Sequence, residues 1–356
     1  MRTGGWLRKA RRRLRYRVDP VTHVALGASL AHVCFGARLG RAAAVAGALA
    51  GLAPDADVLI SSATDPLLAI EYHRGFTHAL VFVPVGSALV AALWLGSAAW
   101  RYRPRWLTLW AAAALSYLSH VLLDAFTSYG TQLLWPFSDY RAGWDWIAIV
   151  DPVFTVPLLV GLGFALTRRR ARPAGIALVF AGAYLLLGGV QHGRAVAVQR
   201  ALAQARGHTP ERVEVMPTLA NNLVWRALYT HQGRIHSDRI RVGWTGRPTV
   251  REGWSLPLAG TAELTPEERA RNRRRSFERF SWFSDHWVAR SPADPSVLAD
   301  MRYSLGADAF DPIWGIRFTG NGTVNEVEWI NRSRDRRIDP GELWREITGT
   351  DERYGQ

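Results

Sequence analysis

Six apolar segments fill much of the first half of the chain, and they limit its fold more than any other feature. They cover residues 21–37, 42–60, 79–100, 106–126, 147–167 and 174–190. Most of them approach the roughly 20 residues that a helix needs to cross a bilayer, although the first two are short or interrupted by polar residues. The pattern predicts a mainly α-helical membrane domain of about six apolar helices, in a multi-pass protein of the inner (plasma) membrane.

Composition divides the 356 residues into three parts. Residues 1–18 form a basic N-terminal tail, which is expected to be disordered or to touch lipid through an amphipathic strip. Residues 19–191 carry the apolar segments. Residues 192–356 are polar and rich in Arg, which predicts a smaller soluble α+β domain whose protein partner is unknown.

The net charge of +14 comes almost entirely from Arg, much of it beside the apolar segments. Basic residues in these places favour topology signals and contacts with membrane lipids, so no nucleic-acid partner is expected. The single cysteine, Cys34, excludes a disulfide framework and a cysteine-based zinc site in this sequence.

Ionisable side chains inside or beside the apolar segments are the strongest signal of a functional site. Such groups are costly at membrane depth and rarely occur there without a role. If six segments cross the membrane, the alternating loops bring these residues to one face: His23, Asp55, Asp57, His73, His78, His120, Asp124 and Asp145. His and Asp also bind transition metals, so we expect a divalent metal ion, with zinc favoured and manganese or iron as alternatives.

Two short motifs have the spacing of metal ligands. His120 and Asp124 are four residues apart and share one face of a helix, where both can bind one ion or the Asp can orient the His. Asp55 and Asp57 follow Pro54, which ends a helix, so both carboxylates can reach one point if the backbone turns there. The plain alternatives are a buried hydrogen-bonded pair for the first motif and a polar loop for the second.

The third motif is the block His73-Arg74-Gly75-Phe76-Thr77-His78. Its two histidines are five residues apart, which predicts a turn at Gly75 and a new helix capped by Thr77. The Arg74 guanidinium can grip two oxygens of a phosphoryl or carboxylate group, or it can snorkel to the membrane surface. His23 shares the expected face and is a candidate ligand, although a lone histidine on an apolar segment is often a packed residue.

In their order along the chain, these motifs resemble the bacterial and archaeal inner-membrane metal-dependent hydrolases of the YdjM type. The resemblance covers about residues 19–190 and rests on Asp19-Pro20-Val21-Thr22-His23, Pro54-Asp55-Ala56-Asp57, the His73 to His78 block, Ser119-His120 with Asp124, Thr127 and Gly130, and Trp135-Pro136. The block is the most specific part, and Ala79 departs from the small polar residue that usually follows it. The order is also similar to that of zinc-dependent phospholipase C enzymes.

The resemblance implies a metal and a hydrolytic reaction, and the analogy with phospholipase C implies a phosphoester or phospholipid substrate. One or two ions would be held by some of His23, Asp55, Asp57, His78, His120 and Asp124. His73, Arg74 and Asp57 are the candidate catalytic residues, because His73 or a spare Asp can relay a proton and Arg74 can stabilise phosphoryl charge. Two other classes remain open: a membrane metal or proton transport protein, and a regulatory membrane protein with a structural metal.

The second half of the chain carries local signals for strands and one helix. Strands are expected at residues 211–216 and 239–245, and a helix is expected from Thr265 to about Phe283. Gly320-Asn321-Gly322 predicts a hairpin between residues 313–319 and 323–330. No catalytic motif stands out in this half.

Overall fold

The computed structural model describes residues 19–97, 100–269, 271–304, 310–319, 327–335 and 339–353. The basic tail predicted at residues 1–18 lies outside this part of the chain. Within the described residues, a helical first half is followed by a region of two small antiparallel sheets.

The helical half consists of α1 (Pro20–Leu39), α2 (Arg41–Leu52), α3 (Leu68–Tyr72), α4 (Val83–Ser97), α5 (Trp106–Ala125), α6 (Pro152–Arg168) and α7 (Arg172–Ala205). Short 3-10 turns lie at Pro54–Leu59, Phe76–His78, Leu80–Phe82 and Trp100–Arg105. Among the described residues, four segments are long and apolar enough to span a membrane: Pro20–Leu39, Leu80–Ser97, Trp100–Ala125 and Arg172–Ala205. Helices α2 and α6 are apolar but shorter, so the predicted set of six crossings is not confirmed.

Asp and Pro residues determine where α1 and α6 begin and where α2 ends. Asp19 caps α1 by accepting hydrogen bonds from backbone N–H groups, and Asp151 caps α6 in the same way. The pair Asp151-Pro152 is a helix-start signal in the sequence, and α6 begins where that signal predicts. Helix α2 ends at Leu52, two residues before Pro54, so the second apolar segment changes into a 3-10 turn that carries two carboxylates.

Glycines let the backbones of α1 and α2 touch. A Cβ atom on Gly51 would lie 2.6 Å from the His23 carbonyl oxygen, and one on Gly27 would lie 2.6 Å from the Gly47 carbonyl oxygen. Gly47 and Gly51, one helical turn apart, and Gly27 on the facing helix thus allow this close approach. Helix α5 joins this pair through the Ser116 hydroxyl, which donates to the Gly27 carbonyl oxygen at 2.9 Å.

Two four-stranded antiparallel sheets form the second half. The first has the order β1 (Arg212–Pro217), β2 (Val224–His231), β3 (Arg234–Arg241), β4 (Thr249–Pro257), and the second has the order β5 (Val288–Arg290), β6 (Val297–Asp300), β7 (Trp314–Phe318), β8 (Val327–Asn331). Helices α8 (Arg271–Phe283) and α9 (Pro340–Thr348) accompany them. Helix α7 continues through residues 191 and 192, so an unbroken helix crosses the predicted domain boundary.

The strands and the helix predicted for this half are confirmed in part. Strand β1 matches the strand expected at 211–216, and β7 pairs with β8 as the predicted hairpin requires, although its turn lies outside the described residues. Strand β3 ends at Arg241, so residues 242–245 are not a strand. Helix α8 is described from Arg271 onward, and Thr265 and Glu268 form a capping box in the turn before it.

The second half packs directly on loops of the helical half. One buried core contains residues of both, including Leu67, Ile70, Tyr129, Phe280 and Phe283. Arg279 of α8 forms ion pairs with Asp65 at 2.9 Å and with Glu71 at 2.6 Å. The segment that leads into His73 is therefore held in place by α8.

Candidate metal centre

Four buried side chains from three segments meet at the C-terminal end of α5. Ligand atoms of Asp55, His78, His120 and Asp124 all lie within 4.8 Å of one another. His78 Nε2 lies 3.1 Å from Asp124 Oδ2 and 3.1 Å from His120 Nε2. Two imidazoles and two carboxylates in this arrangement form a donor set that could bind a divalent metal ion.

The Nδ1 atom of each histidine in this group already has a hydrogen-bond partner. His120 Nδ1 donates to the Gly51 carbonyl oxygen at 2.7 Å, since that oxygen can only accept. His78 Nδ1 lies 3.0 Å from Thr77 Oγ1 and 3.2 Å from Asp57 Oδ2. The two Nε2 atoms are then left as acceptors, as in metal sites with oriented histidines. Two facing lone pairs require a cation or protons between them.

The Asp55 carboxylate also indicates that this group could hold a cation. Its side chain is buried, and neither carboxylate oxygen has a hydrogen-bond partner in the described chain. Asp55 Oδ1 lies 3.7 Å from His78 Nε2 and 3.6 Å from His120 Nε2, beyond hydrogen-bonding distance. A buried carboxylate without partners is costly, and a cation shared with both histidines would offset that cost.

A second group of ligand atoms contains Asp55, Asp57 and His73. His73 Nδ1 lies 2.8 Å from Asp57 Oδ1, while the Arg74 backbone N–H and the Thr77 hydroxyl donate to Asp57 Oδ2. Burial raises the pKa of the Asp57 carboxyl, but hydrogen bonds with the two histidines outweigh burial and hold the pKa below its usual range. Asp55 belongs to both groups, so it can bridge two sites.

The chain turns at Gly75 as expected, but the helix cap expected at Thr77 was wrong, because Gly75 itself precedes the short 3-10 turn. The left-handed residue is Arg74, with φ of 60°, and its N–H bond to Asp57 offsets the strain. Thr77 lies in a 3-10 turn and its hydroxyl donates to Asp57 instead of capping a helix. Glycine is needed at 75 because a Cβ atom there would lie 2.9 Å from the Tyr72 carbonyl oxygen.

Arg74 places its guanidinium against the metal-ligand group. Its Nη2 lies 3.0 Å from Asp124 Oδ1, and Nη1 donates to Thr127 Oγ1 at 2.8 Å. The guanidinium also packs 4.9 Å from the centre of the Tyr129 ring, which excludes water from that side. Arg74 is therefore a buried cation of the site and not a snorkelling surface residue.

His23 lies beside the group of four and Asp145 lies apart from it. His23 Nε2 is 3.2 Å from Asp124 Oδ1, and its ring stacks on His120 with 3.7 Å between ring centres. Asp145 belongs to neither group of ligand atoms and lies near charged side chains of the second half of the chain, including Glu214 and Arg302. Burial raises the pKa of Asp145 well above its usual range.

A pocket opens on the His23 side of the cluster. It is lined by His23, Arg74 and Asp124, with Leu123, Ile147, Ala148, Ile149 and Phe154 as apolar walls. The remaining polar lining is Asp19, Thr22, Thr127, Asp151 and Thr155. A small molecule in this pocket would meet Arg74 and Asp124 directly.

Several contributors could not be identified from motifs. The Gly51 carbonyl oxygen orients His120, but a backbone acceptor leaves no trace in side-chain patterns. Tyr117 donates to the Thr77 carbonyl oxygen at 2.7 Å and looks in the sequence like any apolar helix residue. The pocket did have a signal: the same tripeptide, Asp-Pro-Val, opens both α1 and α6.

Curated relatives are similar over part of the chain. Inner membrane protein YbcI of Escherichia coli (strain K12) is 36% identical over 109 residues, which are 29% of this chain and 59% of that protein. The uncharacterized protein YfhP of Bacillus subtilis (strain 168) is 27% identical over 154 residues, which are 41% of this chain and 45% of that protein. The chain thus spans about half the length of these relatives. No solved structure matches it.

The model of the YdjM inner membrane protein family matches residues 18–195, which is half of the chain. The matched region contains both groups of ligand atoms and the whole lining of the pocket. Together with the four apolar helices of spanning length, the match places the chain in the inner membrane. The chain is a multi-pass membrane protein that belongs to the YdjM inner membrane protein family.

Proposed function

We propose that this chain is a membrane-embedded metal-dependent hydrolase of phosphoesters, with a membrane phospholipid as the first substrate to test. The observation that carries the proposal is the buried group of Asp55, His78, His120 and Asp124, in which two Nε2 lone pairs and an unpartnered carboxylate face one point. Zinc is favoured for two imidazoles with carboxylates, and manganese or iron also accepts this set. A bound ion would make water nucleophilic at neutral pH.

The surrounding residues supply the other requirements of phosphoester hydrolysis. Arg74 lines the pocket, and its Nε has no hydrogen-bond partner, so this N–H is available to a phosphoryl oxygen. His73, held by Asp57 at 2.8 Å, can accept or pass on a proton. The apolar walls keep bulk water from the reacting group.

The clustering of ligands supports a reaction site over a transport path. All the ligand atoms lie where α2, the His73 to His78 block and the last turns of α5 meet, beside one pocket. A transport path needs ionisable groups distributed through the depth of the membrane. A purely structural metal would not need an adjoining pocket that contains a buried Arg.

Metal content of the purified protein tests the centre itself. We expect stoichiometric zinc in the wild type and a loss of most of it in His78→Ala and Asp124→Ala, measured by elemental mass spectrometry after detergent purification. His32→Ala is the matched control, because His32 is also a buried helix histidine but belongs to neither ligand group. Full metal retention in both site variants would remove these residues from the centre.

Activity is tested separately on the metal-loaded protein. We expect release of a phosphorylated headgroup from phospholipid vesicles, loss of the activity with a chelator, and its recovery when zinc is restored. Arg74→Lys should retain metal yet lose much of the activity, since an ammonium cannot grip two phosphoryl oxygens. Absence of hydrolysis across a panel of phospholipids by zinc-loaded protein would reject the hydrolase proposal while leaving the metal centre intact.

A further inference from the structure

Two acidic caps face the pocket from the starts of α1 and α6. Asp19 and Asp151 each precede Pro-Val, and both line the pocket. Thr22 Oγ1 lies 2.5 Å from Asp19 Oδ2 and 2.5 Å from Thr155 Oγ1, which joins the first turns of the two helices. The pairing of two Asp-Pro-Val helix starts therefore puts two carboxylates around one opening.

These carboxylates lack a cation. Asp151 accepts hydrogen bonds from the Val153 backbone N–H at 2.9 Å and from the Tyr184 hydroxyl at 2.8 Å, and Asp19 accepts them from its own helix start. No ion pair joins either carboxylate to Arg, Lys or His within the described ranges. Burial raises the pKa of Asp151, and its hydrogen bonds with Tyr184 and the start of α6 oppose this effect. Helix starts and hydroxyls satisfy the oxygens and partly stabilise their charge, but no side-chain cation neutralises it within the described residues.

His23 adds a third hydrogen-bond acceptor to the pocket that Asp19 and Asp151 line. His23 is 5% exposed, lines the pocket, and its Nδ1 has no hydrogen-bond partner. When His23 Nε2 donates to Asp124, Nδ1 is an acceptor that needs a donor. Among the described lining residues, Arg74 is the only Arg or Lys, so the pocket has a cationic corner at the metal-ligand group and an acceptor-rich corner at the two caps.

This distribution matches a ligand with charges of both signs. We propose that Asp19 and Asp151 form a subsite for the cationic group of an amine-bearing phosphodiester whose phosphoryl group lies at Arg74; this inference rests on the proposed hydrolase function. An ammonium would donate to both carboxylates and neutralise them, and such charge-assisted bonds are the strong ones. The apolar walls at Leu123, Ile147 and Phe154 suit the carbon atoms between the charged groups.

Exposed valines beside the two caps favour a ligand that comes from the membrane. Val21 and Val153, next to the two caps, are 49% and 44% exposed, and Val150 is 43% exposed. In a membrane protein, side chains of this kind at the start of apolar helices face lipid. A lipid headgroup is therefore the favoured source of the amine-bearing phosphodiester, and a soluble glycerophosphodiester is the alternative.

Binding and hydrolysis are measured on the full, zinc-loaded chain. We expect the wild type to bind phosphatidylethanolamine more tightly than phosphatidylglycerol in mixed micelles, by native mass spectrometry, and to hydrolyse it faster in vesicles. Asp19→Asn and Asp151→Asn should each lower this preference roughly tenfold, because a hydrogen bond to a charged group becomes one to a neutral amide. Asn remains a good helix cap, so both variants should fold.

Asp339→Asn is the matched control, because Asp339 caps α9 in the same way and does not line the pocket. Equal binding of both lipids by the wild type, or an unchanged preference in both cap variants, would overturn the subsite while the hydrolase proposal stood. Preference for phosphatidylethanolamine without hydrolysis of any lipid would support the subsite and reject the reaction. Equally tight binding of soluble glycerophosphoethanolamine would overturn the lipid as the source.

Discussion

Asp57 joins both histidines of the His73 to His78 block and the Arg74 backbone, so this one carboxylate sets the shape of the block. We predict that Asp57→Asn weakens zinc binding by about 10- to 100-fold, the usual effect of losing a group that orients metal ligands. An amide keeps only one acceptor oxygen, so either His73 loses its partner at Oδ1 or the Arg74 N–H and the Thr77 hydroxyl lose theirs at Oδ2. Zinc titration of the apo protein against a fluorescent chelator gives the affinity.

Asp139→Asn provides the comparison for that measurement. Asp139 is an exposed carboxylate in the loop between α5 and α6, outside both ligand groups. Its replacement should leave zinc affinity unchanged. If both Asn variants bound zinc as the wild type does, Asp57 would have no part in orienting the centre.

Glu214 predicts how stability depends on pH. Loss of water contacts raises the pKa of Glu214 from 4.5 to about 7; nearby Asp285 adds to this effect and Arg302 opposes it. The folded state thus holds the proton more tightly than the unfolded chain, so stability falls as pH rises from about 4.5 through 7. We expect Glu214→Gln to have a higher melting temperature than the wild type at pH 8 and to differ little at pH 4.5.

An exposed carboxylate near the C-terminus serves as the reference for the Glu214 experiment. Glu352→Gln removes the same charge from a turn that is open to solvent, and its melting temperature should follow the wild type across this pH range. A difference between wild type and Glu214→Gln that does not grow with pH would show that the Glu214 proton is not linked to folding.

Residue identity predicted the membership of the site better than its geometry. Asp55, His78, His120 and Asp124 were chosen for their chemistry, and the fold brings their ligand atoms together. The sequence predicted the turn at Gly75 but not the left-handed conformation at Arg74, which the Asp57 carboxylate stabilises. That carboxylate is 17 positions away, and no local pattern contains this information.

At the scale of elements, the contact between α1 and α2 controls how close Gly51 comes to His120. We predict that Gly47→Ala destabilises the protein by about 1–3 kcal/mol, because the new methyl group would overlap the Gly27 backbone and the Ala31 side chain. The resulting shift of α2 should also weaken zinc binding, since the Gly51 carbonyl oxygen would move away from His120 Nδ1. Thermal unfolding in detergent and zinc titration report the two effects.

Gly163→Ala makes the same substitution where there is room. Gly163 lies inside α6, and nothing would lie within 4 Å of its added Cβ atom. Because Ala favours helix over Gly, this variant should be as stable as the wild type or slightly more so. Equal melting temperatures for the two variants would mean that α1 and α2 can separate without cost.

Helix starts were easier to predict than membrane crossings. Asp151-Pro152 identified the start of α6 because a cap and a following Pro act within a few residues. The number of crossings depends on how far an apolar helix continues, and α2 stops after 12 residues although apolar residues continue to position 60. Pro54 and the two carboxylates that follow it form a 3-10 turn that enters the site.

At the scale of the whole molecule, the second half of the chain takes part in building the candidate site. Tyr129 lies between His73 and the Phe283 ring, at 5.2 Å and 5.5 Å between ring centres. Composition predicted a membrane half and a separate polar half, and it did not predict the core that the two halves share. Contacts between segments that are distant in sequence depend on how their surfaces fit together. Amino-acid composition does not contain this information, so the shared core could not be predicted from it.

Arg279 is the most direct link between the two halves and the site. It joins α8 to Asp65, which precedes α3, and to Glu71 within α3, and α3 leads directly into His73. We predict that Arg279→Ala speeds amide hydrogen exchange in residues 61–73 about tenfold, because loss of two partly buried ion pairs makes local opening easier by about 1–2 kcal/mol. Zinc affinity should fall with it, as His73 and Asp57 lose their fixed positions.

Arg274→Ala separates this link from general effects on α8. Arg274 lies on the same helix, is exposed and pairs with Glu278 within the helix, so its loss should leave exchange in residues 61–73 unchanged. If Arg279→Ala had the same hydrogen exchange and the same zinc affinity as Arg274→Ala, the second half would contact the site without stabilising it. The opposite result would mean that residues beyond the family's matched region help to hold the family's most specific motif in its binding conformation.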